Sequence, residues 1–135
     1  MPDSLTVAIM DAPYERAAST TAFRLIAAAL RKGFDVNVFA YEGAVSLAVK
    51  DQAPHANPVK GTTVEEEDHP TTKDLVAALV DLGKSSPRLT WVNCGLCADE
   101  RGVARSWIDG VKRGSPADFL EMADQATTTL VIPTK

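Results

Sequence analysis

Short apolar runs alternate along the chain with longer segments whose apolar residues recur at helical spacing. Leu5 to Met10 (LTVAIM) is nearly continuous and predicts a strand buried on both faces. Asp11 to Glu15 reads as a turn-like connection at its carboxyl end. From Arg16 to Lys32 the residues Ala22, Phe23, Ile26, Ala29 and Leu30 predict an amphipathic helix. Arg31 and Lys32 complement the negative end of its dipole, and Gly33 suits its C-terminal cap. Val36 to Tyr41 predicts the second strand, broken by Glu42-Gly43 and followed by a short helical piece over Ala44 to Val49. Thr71-Thr72-Lys73-Asp74 resembles a capping box with Asp in place of Glu. It opens a helix to about Leu82, with Leu75, Val76, Leu79 and Val80 on one face and Gly83 at its end. Leu89 to Asn93, set off by Pro87, predicts a core strand that stops at Cys94. A helical segment begins near Cys97 or Ala98, and Val103 to Trp107 continue it. Ile108 to Gly114 holds two glycines and leaves room for a short strand. Ser115-Pro116 is a cap residue followed by proline at the first helical position, with Phe119, Leu120 and Met122 as the apolar side. Thr127 to Ile132 is the last strand.

Strands alternating with helices imply a parallel sheet covered on both faces. No internal repeat or linker divides the chain, so residues 1–135 form one α/β domain. A flavodoxin-like arrangement is the expected member of the doubly wound class. Asp51 to Pro70 stands apart. It carries three prolines, both histidines (His55 and His69) and the run Glu65 to Asp68, without a core-forming period. It reads as a long surface loop that is a lid, a docking element or a solvated acidic segment.

Composition narrows the function classes. With 135 residues the chain can bury one sizeable core. No apolar run approaches the ~20 residues that span a bilayer, and no secretory signal pattern opens the chain. A cytoplasmic protein without a membrane partner is expected. The net charge of -4 argues against direct nucleic-acid binding, which needs a basic face. Two cysteines are too few for a disulfide framework and remain available as thiols in a reducing compartment.

Those cysteines are the centre of the candidate chemistry. Cys94 and Cys97 form a C-x-x-C motif at the carboxyl end of a strand, where open α/β sheets bind ligands. Gly95 lets the backbone turn and clears space around Cys94. A helix N-terminus beside them favours thiolate. The spacing serves a redox dithiol, part of a metal site, or a single nucleophilic thiolate. Packing as two small hydrophobes is the structural alternative. His55 and His69 do not have the spacing of a usual zinc pair, so no metal is expected, and no phosphate loop or other cofactor motif is present. Asp11 and Tyr14, at the end of the first strand, are candidates to shape the pocket of Cys94, or they serve as turn residues. Arg101 can supply positive charge beside the thiolate, or cover a helix surface.

Three blocks resemble the DsrE/DsrF-like sulfur-relay family. The first contains Ala12-Pro13-Tyr14, Ala18-Ser19, Ala22-Phe23 and Ala29-Leu30 up to Gly33. The second is Val38-Phe39-Ala40-Tyr41-Glu42-Gly43. The third is Cys94-Gly95-Leu96-Cys97-Ala98-Asp99-Glu100-Arg101-Gly102. The resemblance implies a sulfurtransferase or sulfur carrier with Cys94 at the position of the persulfide-bearing cysteine. It implies a persulfide donor protein of the TusA-like or rhodanese-like kind, a sulfur acceptor, no cofactor, and a trimeric, hexameric or hetero-oligomeric assembly. Cys97 departs from the common pattern and is similar to a C-G-x-C-x-x-x-R-G variant. A second thiol there can resolve a persulfide into a disulfide with release of sulfide, or make the pair a thiol–disulfide redox centre. A non-catalytic binding subunit with inert thiols is a further alternative.

Overall fold

A computed structural model of the chain describes residues 3–134. Five parallel strands form one sheet: β1 (Ser4–Ile9), β2 (Asp35–Ala40), β3 (Leu89–Cys94), β4 (Val111–Gly114) and β5 (Thr128–Ile132), in the order β4-β3-β2-β1-β5. The α/β class read from the sequence stands. The strand order is new information, because flavodoxin itself runs 2-1-3-4-5. Here the chain winds outward from β1 through β2 and β3 to β4, and only β5 returns to the other side of β1.

Side chains alternate across the sheet, and the alternation sorts them into two cores. Leu5, Val7 and Ile9, Val36, Val38 and Ala40, and Trp91 join Phe23, Ile26 and Leu30 of α1 (Ala18–Arg31) and Val76 and Leu79 of α3 (Thr72–Leu82). On the other face Phe39, Val92 and Cys94 join Ala98 of α4 (Gly95–Glu100) and the half-buried Phe119 and Met122 of α5 (Pro116–Gln125). Leu120 is 67% exposed and does not share that apolar side. One residue past Phe119 lies about 100° around a helix, which carries it off the packed stripe.

Local signals set the helix ends. At the end of α1, Gly33 takes φ +92°, its N–H donates to Leu30 O, and Phe34 N–H donates to Ala29 O. This pair of bonds is a Schellman cap. The same device ends α4: Gly102 takes φ +70°, Gly102 N–H donates to Asp99 O and Val103 N–H to Ala98 O. The expectation that Val103 to Trp107 extend this helix is therefore corrected. The left-handed residue turns the chain away, and Trp107 pairs instead with Val49 as an isolated bridge. After β2 the chain makes a 3-10 turn over Glu42–Ser46 rather than a helix over 44–49. Within residues 51–70, Thr63 caps a single turn, α2 (Val64–Glu67), through a reciprocal capping box with Glu66. Three of the four acidic residues of Glu65–Asp68 thus lie on a short ordered helix.

Candidate thiol site

Strand β3 runs into α4 without a loop. Cys94 is the last residue of β3 and the N-cap of α4, so the helix starts at Gly95, ahead of the start near Cys97 or Ala98 that the sequence predicts. This makes Cys97 the third helical residue. N-cap and third position are the two ends of a capping box, the spacing at which each side chain can approach the other residue's backbone, so both side chains lie on one side of the helix start. The C-x-x-C spacing therefore places the two thiols near one another, and the neighbouring Cys94 helps raise the pKa of Cys97. Both cysteines are free.

Their environments differ. Cys94 is only 3% exposed, packed with Phe39, Val92 and Ala98, while Cys97 is half-buried. The sulfur of Cys94 does not stand in an open crevice as its strand-end position suggests. The helix start that was expected to favour thiolate at both positions is outweighed at Cys97. Burial pushes the Cys97 thiol up, the backbone amide of Glu42 pulls it down, the neighbouring Cys94 pushes it up again, and the Arg101 charge pulls it down, with a net rise.

Arg113, on edge strand β4, is the residue that sequence reasoning missed. Its guanidinium holds Asp99 of α4 through two bonds, Nη2 to Oδ2 at 2.8 Å and Nη1 to Oδ1 at 3.1 Å. That pair raises the pKa of Arg113 first and foremost, with a smaller rise from the charge of Cys94, and it lowers the pKa of Asp99. Gly95 clears space, but Arg113 fills it. A Cβ added at Gly95 would lie 2.5 Å from Arg113 Nε and 2.7 Å from Nη2. The signal in the sequence was the basic pair Lys112-Arg113 in a segment of uncertain structure. Only the parallel pairing of β3 with β4, which sets Cys94 beside Gly114, brings it to the cysteines.

The other sequence candidates divide into two groups. Arg101 lies beside Cys97, donating from Nη1 to its carbonyl at 3.3 Å. Asp11 is buried and accepts from Arg16 Nε at 2.7 Å. Asp11 and Arg101 share the wall of a cleft of about 630 Å³ with Glu15, Arg16, Glu42 and Thr134. Tyr14 is turned elsewhere. Its hydroxyl donates to Pro70 O at 2.9 Å, and its ring stands 4.8 Å from that of His69 and 6.1 Å from that of His55. Among the described residues no group of three or more His, Cys, Asp or Glu side chains could hold a metal ion.

The model of the DsrE/DsrF-like family matches residues 3–132, from the start of β1 to the end of β5. The chain belongs to the DsrE/DsrF-like family. Two archaeal proteins are similar over nearly their whole lengths. The uncharacterized protein MK0008 of Methanopyrus kandleri is 26% identical over 129 residues, 95% of this chain and 93% of that protein. The uncharacterized protein MJ0989 of Methanocaldococcus jannaschii is 28% identical over 127 residues, 91% and 96% of the two chains. The crystal structure of the ychN protein from E. coli superposes with a TM-score of 0.70 at 20% identity, covering 96% of this chain and 98% of that one. At that identity the likeness carries the DsrE-like fold. No helix among the described residues is long and apolar enough to cross a membrane.

Proposed function

We propose that this DsrE/DsrF-like chain is a sulfur-relay protein in which Cys94 accepts sulfane sulfur as a persulfide and passes it to a partner. The observation that supports the reading is the asymmetric thiol pair at the β3–α4 junction. Burial and its neighbour push the Cys97 thiol up, and Cys94 holds the position of the persulfide-bearing cysteine in the family resemblance, so we assign the nucleophilic role to Cys94. The Cys94 thiolate attacks the outer sulfur of a donor persulfide, a new S–S bond forms at Cys94, and the donor thiolate leaves. Cys94 is covered, so transfer requires a side-chain movement.

The nearness of the two thiols favours a second step. Once its proton is lost, Cys97 can attack the inner sulfur of the Cys94 persulfide, forming a Cys94–Cys97 disulfide and releasing hydrosulfide. The dithiol is oxidised and the sulfane sulfur reduced, so electrons balance. Mass spectrometry after incubation with a persulfide donor tests both steps. Cys94→Ser should abolish the added sulfur. Cys97→Ser should keep it and prolong its lifetime. Sulfur uptake by Cys94→Ser at the wild-type rate would reverse the assignment and make Cys97 the nucleophile.

A further inference from the structure

The cleft of about 630 Å³ beside the thiol pair has no role in the steps above. It lies at the carboxyl edge of the sheet where strand order reverses, with Asp11 following β1 and Thr134 following β5. That is the position at which open α/β sheets take ligands, and the volume is in the range of small-molecule sites. Its charges are mixed. Asp11 and Arg16 satisfy each other, and Arg16 also reaches Pro133 O. Among the described residues Glu15, Glu42 and Arg101 are left without an ion-pair partner. The wall reaches the thiol site at Cys97: the Arg101 guanidinium donates to the Cys97 carbonyl at 3.3 Å, and the Glu42 backbone lowers the pKa of the Cys97 thiol against the rise from burial. Glu42 is held at φ +52°, a conformation that costs a non-glycine residue energy and collects at ligand sites. The next residue, Gly43, packs tightly on the chain after β1: a Cβ there would lie 2.8 Å from the Ala12 backbone nitrogen.

Two free carboxylates and one free guanidinium are complementary to a molecule carrying an ammonium and a carboxylate. We infer that the cleft binds a small zwitterionic thiol compound of the amino-acid or short-peptide class and presents its persulfide to Cys94. The inference rests on the sulfur-relay reading. Glu42 and Glu15 receive the ammonium, Arg101 receives the carboxylate, and the sulfur end points along the Arg101–Cys97 side toward the thiol pair. The exchange conserves atoms and charge: R–S–SH and the Cys94 thiolate give Cys94–S–SH and R–S⁻, which then takes a proton from solvent.

Two measurements on the full chain test this, with Arg101→Gln and Glu42→Gln checked for wild-type folding by denaturation. The first uses S-methylcysteine, which can bind but cannot transfer sulfur, followed by calorimetry or amide shifts. Saturable binding is expected, about tenfold weaker in each variant, the loss of one charge-assisted contact. Affinity weaker than about 10 mM, or equal affinity in the variants, overturns the inference. The second compares sulfur uptake at Cys94 from cysteine persulfide and from a neutral alkyl persulfide. Wild type should prefer the zwitterion, and Arg101→Gln should lower that preference about tenfold. Equal, non-saturable uptake from both donors overturns the cleft inference and leaves the relay reading standing. S-methylcysteine binding with no sulfur uptake from any donor removes the relay reading and keeps the ligand class.

Discussion

Replacing Gly95 with alanine adds one methyl group between the cysteines and Arg113. An ideal Cβ there lies 2.5 Å from Nε and 2.7 Å from Nη2, so the guanidinium must withdraw by about 1 Å to reach ordinary van der Waals separation. Its bonds to Asp99 are already 2.8 and 3.1 Å long, and such a shift breaks at least one of them. The backbone gains, because alanine is about 1 kcal/mol better than glycine in a helix. Both partners of the ion pair are half exposed, so its loss costs little. Global stability should therefore hold or rise slightly while the field at Cys94 changes. The assay is alkylation of Cys94 in a Cys97→Ser background, with anionic iodoacetate and neutral iodoacetamide. The ratio of the two rates cancels differences in access and reports local charge. Wild-type charge should favour iodoacetate at low salt, and Gly95→Ala should lower the ratio by roughly three- to tenfold, with added salt closing the gap. Arg113→Ala should lower it as much, and adding Gly95→Ala to Arg113→Ala should do nothing more. An unchanged ratio in Gly95→Ala, or an equal further fall on top of Arg113→Ala, would refute the reasoning.

Three other outcomes follow from the same geometry. Cys97 should alkylate slowly at neutral pH and react only as pH rises above the ordinary thiol range, because its pKa is raised by burial first and then by Cys94. Cys94→Ser removes the second cause and should move that rise to lower pH, which a pH–rate profile of Cys97 labelling detects. Gly102→Ala should cost about 1 kcal/mol in chemical denaturation, since a Cβ there meets nothing within 4 Å and only φ +70° is strained. Asn93 is fully buried, accepts from Trp91 Nε1 at 3.1 Å and donates to Val45 O at 3.2 Å. Asn93→Ala strands both partners and should lower unfolding stability by about 2–5 kcal/mol. Loss of less than 1 kcal/mol would mean that water replaces the amide.

Much of the molecule is decided by residues close together in the chain. The run Leu5 to Met10, the stripe Ala22-Phe23-Ile26-Leu30 and the cap at Gly33 act through neighbours no more than a turn away, so β1, α1 and its stop are legible directly. The spacing of Cys94 and Cys97 is local in the same sense: once β3 runs into a helix, three residues suffice to bring the two thiols near one another. The stop at Gly102 is equally local: its left-handed conformation overrides the apolar residues beyond it, which by themselves read as more helix. What the chain could not show by itself is which strands become neighbours. The order β4-β3-β2-β1-β5 is settled by packing across the sheet, and with it the approach of Arg113 to Gly95, the amide of Glu42 to Cys97 and the shared cleft of Asp11 with Arg101. The burial of Cys94 belongs to the same class, because Phe39 and Phe119 reach its side of the sheet from distant parts of the chain. Local rules fix where backbone hydrogen bonds begin and end. Electrostatics and access at a sulfur depend on every group that folding brings within a few ångströms, and those groups come from tertiary contacts.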